Sequence, residues 1–280
     1  MRDRLSSVLH RFEFFRATPT GHMVTPETDS YRPYAPGDDP RYIDWSIYAR
    51  QDRYFIKTVV REDEGIIHLF VDSSGSMRSP HVSKYHRCLE TAAGIGYLAL
   101  LTGNQVILHS WSDRILLTRS YEEGESSTLD FLQQLETLPS GSETDLGQSL
   151  EQLRNLGEKS PSRLLVISDF IEKRSYWEQL NLLKAAGSRL AAIRIMHERE
   201  VAPRLRGHYQ ISDPESGRQV RRLIGYRLQK EYRKTINTFM RETEESFHQQ
   251  RVPFLNSTTR SPFEELVLNF FHLPSWNGWR

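Results

Sequence analysis

The chain has 280 residues, of which 38% are hydrophobic and 26% are charged, as in a folded globular protein. This length allows one large domain and an appendage. Lys and Arg number 37 against 36 Asp and Glu, so the formal net charge is +1. Such a balance gives no general reason to expect a nucleic acid or an acidic membrane surface as the partner.

Targeting and redox features predict a cytoplasmic location. Cys88 is the only cysteine, which excludes an intramolecular disulfide and fits a reducing compartment. Charged residues interrupt residues 1–19, so this segment contains no apolar core of signal-peptide length. The longest apolar run, residues 97–101, is far shorter than the roughly 20 residues that span a bilayer. We therefore expect a soluble protein without a membrane span.

The first part of the chain, residues 1–63, is predicted to hold a short helix and a β-rich segment. Residues 2–15 have an amphipathic pattern. Turn residues and aromatics then alternate over residues 31–64, and the aromatic and β-branched residues of 54–60 predict a strand.

From residue 64 to residue 200 the pattern is that of an α/β domain. Apolar runs predict strands, and apolar residues at helical spacing predict the helices between them. The predicted strands are 66–71, 105–111, 114–118, 163–168 and 189–196, and the predicted helices are 83–101, 128–138, 145–156 and 176–186. This alternation predicts a doubly wound, mainly parallel sheet with helices on both faces, and strand 114–118 is expected to pair with 105–111 across the turn at 112–113.

The last part, residues 201–280, is predicted to contain a hairpin, a long helix and a closing strand and helix. Residues 208–212 and 219–223 flank the turn signal of 213–217. A helix over 226–250, a strand over 252–255 and a helix over 263–271 follow. We expect the hairpin and residues 31–60 to form one small β-rich appendage at the side of the main domain, because unpaired strand edges are a liability.

Chemistry-bearing residues concentrate where the first buried strand ends. Asp72, Ser74 and Ser76 form a D-x-S-x-S pattern, with Gly75 allowing a tight loop. Ligands of open parallel sheets sit at the carboxyl ends of the strands. One carboxylate and two hydroxyls are oxygen ligands, which suit Mg²⁺ or another hard cation such as Mn²⁺.

Two other loops place polar residues at the same edge of the predicted sheet. Thr144 precedes one helix and Asp169 follows another buried strand. Together with Asp72, Ser74 and Ser76, these residues resemble the metal-ion-dependent adhesion site of von Willebrand factor A domains. The resemblance implies that the first loop and Thr144 bind the metal directly, and that Asp169 acts through water. It also implies that 114–118 lies near an antiparallel edge of the predicted sheet. An alternative is that Asp72 and Ser74 cap the helix near Ser83, while Thr144 caps its own helix.

The segment before this site resembles the signature of one bacterial von Willebrand A-like family, domain of unknown function 58. Its members are typically encoded beside MoxR-type AAA+ ATPases, and many are membrane-anchored. The resemblance covers roughly residues 31–272 and includes the 213–217 turn and the segment 256–259. In the signature, Trp45 is interpreted as a core anchor, and the charges of 32–50 either pair with each other or form a docking surface.

Motifs for other activities are weak. The sequence contains no H-E-x-x-H, no cysteine cluster, no G-x-x-x-x-G-K-[ST] loop and no G-x-S-x-G elbow, which disfavours zinc, ATPase and serine hydrolase chemistry. A phosphatase that uses Asp72 is the main rival, although such enzymes usually resemble D-x-D, and Ser74 stands at the second position. A basic excess between Arg199 and Lys234 is the only indication of nucleic-acid binding.

These observations predict a non-enzymatic, divalent-metal-dependent protein-binding module. By resemblance it is an adaptor or assembly factor for a MoxR-type AAA+ ATPase and a client protein. The alternative is a Mg²⁺-dependent, phosphatase-like hydrolase.

Overall fold

The computed structural model describes residues 29–33, 47, 53–59, 65–78, 82–156, 162–172, 175–273 and 276 of the chain. The helix predicted over residues 2–15, Trp45 and most of the signature at 32–50 lie outside the described residues.

Within the described residues, ten strands form three sheets. The strands are β1 (Asp29–Pro33), β2 (Phe55–Val59), β3 (Ile66–Asp72), β4 (Gln105–Trp111), β5 (Ile115–Tyr121), β6 (Arg163–Ser168), β7 (Arg189–Met196), β8 (Gly207–Ser212), β9 (Gln219–Ile224) and β10 (Phe254–Thr258). The main sheet has the order β10-β7-β6-β3-β4-β5, and all its neighbours are parallel except β4 and β5. The predicted α/β fold and its antiparallel edge strand are thereby confirmed.

The described helices alternate with these strands. They are α1 (Gly75–Arg78), α2 (Val82–Leu101), α3 (Glu125–Glu136), α4 (Leu146–Asn155), α5 (Trp177–Ala185), α6 (Glu198–Val201), α7 (Tyr226–Gln249) and α8 (Phe263–Phe271). Side chains from α2, α3 and α8 pack in one hydrophobic cluster with Leu69 of β3. Those from α4, α5 and α7 pack in a second cluster with Phe70. Consecutive residues of a strand point to opposite faces, so the main sheet is covered on both sides.

Strand β10 lies in the main sheet, although it belongs to the last predicted segment, 201–280. It pairs in parallel with β7, from Phe254 opposite Ala192 to Thr258 opposite Met196. The strand was predicted over residues 252–255 and begins instead at Phe254, because Val252 and Pro253 still belong to the turn after α7. The last part of the chain therefore supplies one edge of the central sheet.

The two predicted β segments form separate two-stranded sheets, β1 with β2 and β8 with β9. The predicted hairpin at 208–223 is confirmed, but it shares no sheet with residues 31–60, so the prediction of one β-rich appendage is wrong in its strand pairing. Its turn reaches the Asp72 loop, where the Pro214 carbonyl oxygen lies 3.0 Å from the Cβ position that a side chain at Gly75 would take.

Within the described part of the chain, no helix is both long and apolar enough to cross a membrane.

Candidate metal centre

Asp72 ends strand β3 and is fully buried. Its Oδ1 accepts a hydrogen bond from the Ser74 backbone N–H (2.9 Å), which closes the loop on itself. Its Oδ2 accepts one from the Ser168 hydroxyl (2.6 Å), which lies at the end of the neighbouring strand β6. The carboxylate is therefore oriented by two groups, and each oxygen keeps a lone pair for a further ligand.

The two predicted serine ligands lie side by side. Ser74 Oγ and Ser76 Oγ are 3.0 Å apart, with Ser74 buried and Ser76 half-buried. Gly75, between them, donates its backbone N–H to Ser142 O (3.3 Å). A Cβ at Gly75 would lie 2.9 Å from that same oxygen, so only glycine allows this approach of the two loops.

The Thr144 loop thus adjoins the Asp72 loop through the contact between Gly75 and Ser142. Thr144 does not cap helix α4, because the side chain of Asp145 is the cap and accepts from Gln148 N (2.8 Å). The alternative of a capping role for Thr144 is therefore wrong. Its hydroxyl donates instead to Glu215 Oε1 at 2.5 Å, on the turn between β8 and β9.

Asp169, the fifth predicted site residue, is buried and paired with a lysine. Its Oδ2 accepts from Lys84 Nζ (2.8 Å), and its Oδ1 accepts from Ile171 N (2.9 Å). Lys84 Nζ also donates to Glu200 Oε1 (2.8 Å). Burial alone would lower the pKa of Lys84, but Asp169 and Glu200 outweigh that effect and raise it. Lys84 therefore stays charged and neutralises part of the acidic charge at this edge.

The residue after Asp169 is held in an unusual backbone conformation. Phe170 has a φ of +57°, which costs energy for a residue other than glycine. Its N–H donates to Ser168 Oγ (3.0 Å), and its ring packs against Phe247 with centroids 5.2 Å apart. The aromatic core therefore holds the bend that places Ser168 and Asp169 beside Asp72.

The buried carboxyl groups of Asp72 and Glu172 make the candidate centre favourable for a cation. Burial first, and the nearby Asp169 second, raise the pKa of Asp72 to about 7. Burial raises the pKa of Glu172 to about 7 as well, with smaller contributions from Asp145, Asp72 and Asp169. Glu172 Oε2 accepts from Leu146 N (2.9 Å), and within the described residues its buried Oε1 has no hydrogen-bond partner. Carboxyl groups that are costly to ionise are stabilised as anions by a bound cation.

The donor geometry fits a hard divalent ion. Neighbouring ligands of an octahedral Mg²⁺ with bonds of about 2.1 Å lie about 3.0 Å apart. The hydroxyls of Ser74 and Ser76, which are hydrogen-bonded to each other in the structure, have this separation. Within the described ranges, no group of three or more His, Cys, Asp or Glu side chains is placed to hold a metal ion. The donors gathered at the candidate centre are the carboxylate of Asp72 and the hydroxyls of Ser74 and Ser76. Such donors suit Mg²⁺ or Mn²⁺ and not zinc.

All five predicted residues thus lie at the same edge of the sheet, and each has a hydrogen-bond partner there. The partners of Thr144 and Asp169 are the charged residues Glu215 and Lys84. The sequence reasoning missed four charged residues, Lys84, Glu172, Glu200 and Glu215. Glu215 belongs to the predicted 213–217 turn, but that turn signal does not indicate a contact with Thr144, and all four residues reach the centre only through folding. Ser168 could have been found, because it is the last residue of a buried strand, directly before Asp169.

Residues 30–246 match the family described as "Protein of unknown function DUF58". The chain belongs to this family. The matched range includes every residue of the candidate centre, and it confirms the family that the signature predicted. An uncharacterised protein of Mycobacterium tuberculosis is 26% identical over 222 residues, which cover 78% of this chain and 68% of that protein. A Mycobacterium bovis protein matches to the same extent.

Several solved structures are similar to this DUF58 chain at low identity. The conserved hypothetical protein BatB from Bacteroides thetaiotaomicron is 11% identical with a TM-score of 0.43, over 73% of this chain and 96% of BatB. A von Willebrand factor type A protein from Catenulispora acidiphila is 16% identical with a TM-score of 0.36, over 62% of this chain and 42% of that protein. The manganese-loaded TRAP protein of Plasmodium vivax is 13% identical with a TM-score of 0.39, over 76% of this chain and 73% of TRAP.

Proposed function

We propose that this chain is a non-enzymatic protein-binding module that depends on a divalent cation, Mg²⁺ or Mn²⁺. The observation that carries the proposal is the pair of hydroxyls on Ser74 and Ser76, 3.0 Å apart beside the oriented carboxylate of Asp72. Ser76 and Thr144 are half-buried, so the centre opens toward the surface of the protein.

Recognition at such a centre would follow from its charge. Asp72 is the only carboxylate in the D-x-S-x-S loop, and Lys84 already neutralises part of the charge of Asp169. A cation bound there supplies residual positive charge at the surface, which attracts an Asp or Glu side chain of a partner protein. Asp72 and Ser168 would keep the inner side of the centre ordered, while the outer side accepts the partner.

The partner is proposed from the family resemblance. A MoxR-type AAA+ ATPase and a client protein would bind this module, which then acts as an adaptor or assembly factor. The residues of the centre support only the proposed chemistry of the contact, in which an acidic side chain of the partner would complete the metal site.

A Mg²⁺-dependent, phosphatase-like hydrolase is the second candidate. Glu172 favours it, because a carboxyl group with a pKa of about 7 is suited to general acid–base chemistry. Against it, Ser74 stands where a D-x-D enzyme has its second Asp, and Leu146 N–H already engages one oxygen of Glu172.

Calorimetry with Mg²⁺ and Mn²⁺, and pull-down with a MoxR-type ATPase from the same genome, would test the proposal. Asp72→Ala and Ser74→Ala should each abolish both signals while the domain stays folded, whereas Arg222→Ala on the exposed β9 should change neither. Ion binding by Asp72→Ala equal to wild type would refute the metal site. Binding of the ATPase at unchanged affinity in EDTA would move the interface elsewhere, for example to residues 32–50.

The same samples decide between the two candidates. Purified protein with Mg²⁺ should not hydrolyse a generic phosphomonoester. Turnover that disappears in Asp72→Asn would support the hydrolase instead.

A further inference from the structure

A carboxylate from this chain already lies at the candidate metal centre. Glu215 Oε1 accepts the hydroxyl proton of Thr144 at 2.5 Å, between residues 71 positions apart in the sequence. The neighbouring Pro214 carbonyl oxygen approaches Gly75 of the Asp72 loop. The turn between β8 and β9 therefore touches both loops that supply predicted metal ligands.

The turn is built to present Glu215 in one orientation. Asp213 Oδ1 accepts from Glu215 N (3.0 Å), and Asp213 Oδ2 accepts from Ser216 Oγ (2.7 Å). Gly217 N donates to Asp213 O (2.9 Å), and the positive φ of Gly217, +67°, closes the turn. Because Asp213 organises the backbone, the Glu215 side chain is directed at Thr144 with little loss of entropy on contact.

We propose that Glu215 is an internal ligand of the metal centre, and that it occupies the position which a partner's carboxylate takes. The inference rests on the proposed function, since it assigns the same coordination position to a residue of this chain. Binding of an acidic partner would then require the β8–β9 turn to leave the centre.

Tethering makes Glu215 an effective competitor. A group held on the same chain acts at an effective concentration in the millimolar range or higher. If Glu215 occupies the position for about nine-tenths of the time, the apparent dissociation constant of an outside carboxylate rises about tenfold.

The hairpin can move away at low cost. Strand β8 has no buried residue, and in β9 only Ile224 is buried. Two-stranded hairpins are marginally stable on their own, so few packing contacts are lost when the turn swings out. The proposed regulatory element is thus a weakly packed hairpin whose turn directs the Glu215 carboxylate at Thr144, while Asp213 organises the turn backbone.

Water-proton relaxation with Mn²⁺ as the metal and acetate as the carboxylate probe would test the inference. The full chain is compared with Glu215→Gln, which keeps the shape of the side chain but removes the charge. At saturating Mn²⁺, Glu215→Gln should bind an additional water and show higher relaxivity than wild type. Acetate should then lower the relaxivity of Glu215→Gln at a concentration about tenfold lower than for wild type.

Two further variants make the result specific. Asp213→Ala loosens the turn and should shift both readouts in the same direction as Glu215→Gln. Glu143→Gln removes an equal charge from an exposed residue next to Thr144 and should behave as wild type. If Glu143→Gln matched Glu215→Gln, a general charge effect would replace the proposed contact.

The outcomes separate this inference from the proposed function. Equal relaxivity and equal acetate response in wild type and Glu215→Gln, with Mn²⁺ bound in both, would overturn the internal ligand alone. Absence of Mn²⁺ binding in the wild type, measured by the same titration, would overturn the metal-dependent function and the internal ligand together.

Discussion

Gly75 illustrates how a single residue can join three segments of the chain. The position lies between the two serine hydroxyls, and its backbone contacts the Thr144 loop and the β8–β9 turn. Both atoms that a Cβ would meet, Ser142 O and Pro214 O, belong to the backbone, so neither can rotate away.

Gly75→Ala is therefore expected to destabilise the fold by about 1–3 kcal/mol, as overpacking in a close contact does. Urea unfolding monitored by tryptophan fluorescence measures this, and the same variant should bind Mn²⁺ more weakly. Gly225→Ala is the control, because open space surrounds that position, and it should cost less than about 1 kcal/mol. Equal effects of the two substitutions would contradict the close approach at Gly75.

Lys84 is the second single residue whose replacement is expected to have a large effect on stability. It is buried between Asp169 and Glu200, and breaking a buried pair by removing one partner leaves an uncompensated charge. Lys84→Met should destabilise the metal-free protein by about 3–5 kcal/mol.

Mn²⁺ should restore more stability to Lys84→Met than it adds to wild type, because Asp169 is then free to interact with the ion. Thermal melts with Mn²⁺ and with EDTA compare the two proteins. Arg227→Met, in an exposed pair with Glu231 on α7, serves as the control and should melt as wild type does. A Lys84→Met protein that is as stable as wild type in EDTA would refute the proposed balance of charges.

At the scale of the elements, helix α7 and strand β10 pack against the loop that carries Asp169 of the candidate metal centre. Phe247 of α7 stacks on Phe254 of β10, with ring centroids 4.4 Å apart, and also packs against Phe170. Phe170 is the residue with positive φ beside Asp169, so this aromatic cluster helps to hold the bend at the end of β6.

Phe247→Ala should cost about 3–5 kcal/mol, the range for truncating a buried phenylalanine. Because the bend at Phe170 loses its support, the affinity for Mn²⁺ should fall as well. Urea unfolding and calorimetry measure the two effects. Tyr226→Ala, at the exposed start of the same helix, should change neither, and a similar loss of stability there would show that α7 acts through helix formation alone.

For the whole molecule, pH connects the core with the edge of the sheet. His68 and His109 are stacked between neighbouring strands, with His68 Nδ1 and His109 Nε2 2.9 Å apart. Burial lowers the pKa of His68 to about 4, and burial together with His68 lowers that of His109 to about 3. Both rings therefore stay neutral in the folded protein far below pH 6.5.

The unfolded chain binds protons at these histidines below about pH 6.5, whereas the folded protein does so only near pH 4 to 3. The contribution of the neutral pair to the free energy of unfolding is thus fully present above pH 6.5, and it decreases as the pH falls from 6.5 toward about 3. For His68 the loss is on the order of 3 kcal/mol, at about 1.4 kcal/mol for each pKa unit. Urea unfolding from pH 7.5 to 4 should show a shallower decline for His68→Gln combined with His109→Gln.

The raised pKa values of Asp72 and Glu172 act in the opposite direction. Their stabilising effect is present at low pH and is lost as the pH rises toward about 7. Wild type serves as the reference at each pH, because these carboxyl groups are present in both proteins and their effect cancels in the comparison. EDTA is present throughout, so that no bound metal alters their titration. A double variant with the same pH profile as wild type would show that the histidine pair does not titrate on unfolding.

The sequence by itself determined the α/β fold, the D-x-S-x-S loop and the family. Periodicity and strand-end motifs are local, and the middle of a strand that is buried on both faces is apolar, as residues 164–167 of β6 are. For this reason, short stretches of sequence were enough to predict strands β3 and β6 and the position of Asp72 at the end of β3. The same logic fails at helix starts, where Thr144 and Asp145 are both plausible caps and only the backbone path selects Asp145.

Only the tertiary structure decided which charges meet at the candidate metal centre. Lys84 and Asp169 are 85 residues apart, and Thr144 and Glu215 are 71 residues apart. The sequence does not distinguish a lysine that becomes buried from one that stays exposed. It also does not indicate which residue a glutamate in a turn contacts. These contacts arise because folding brings distant segments to one edge of the sheet, and the low dielectric there makes each pairing of charges matter.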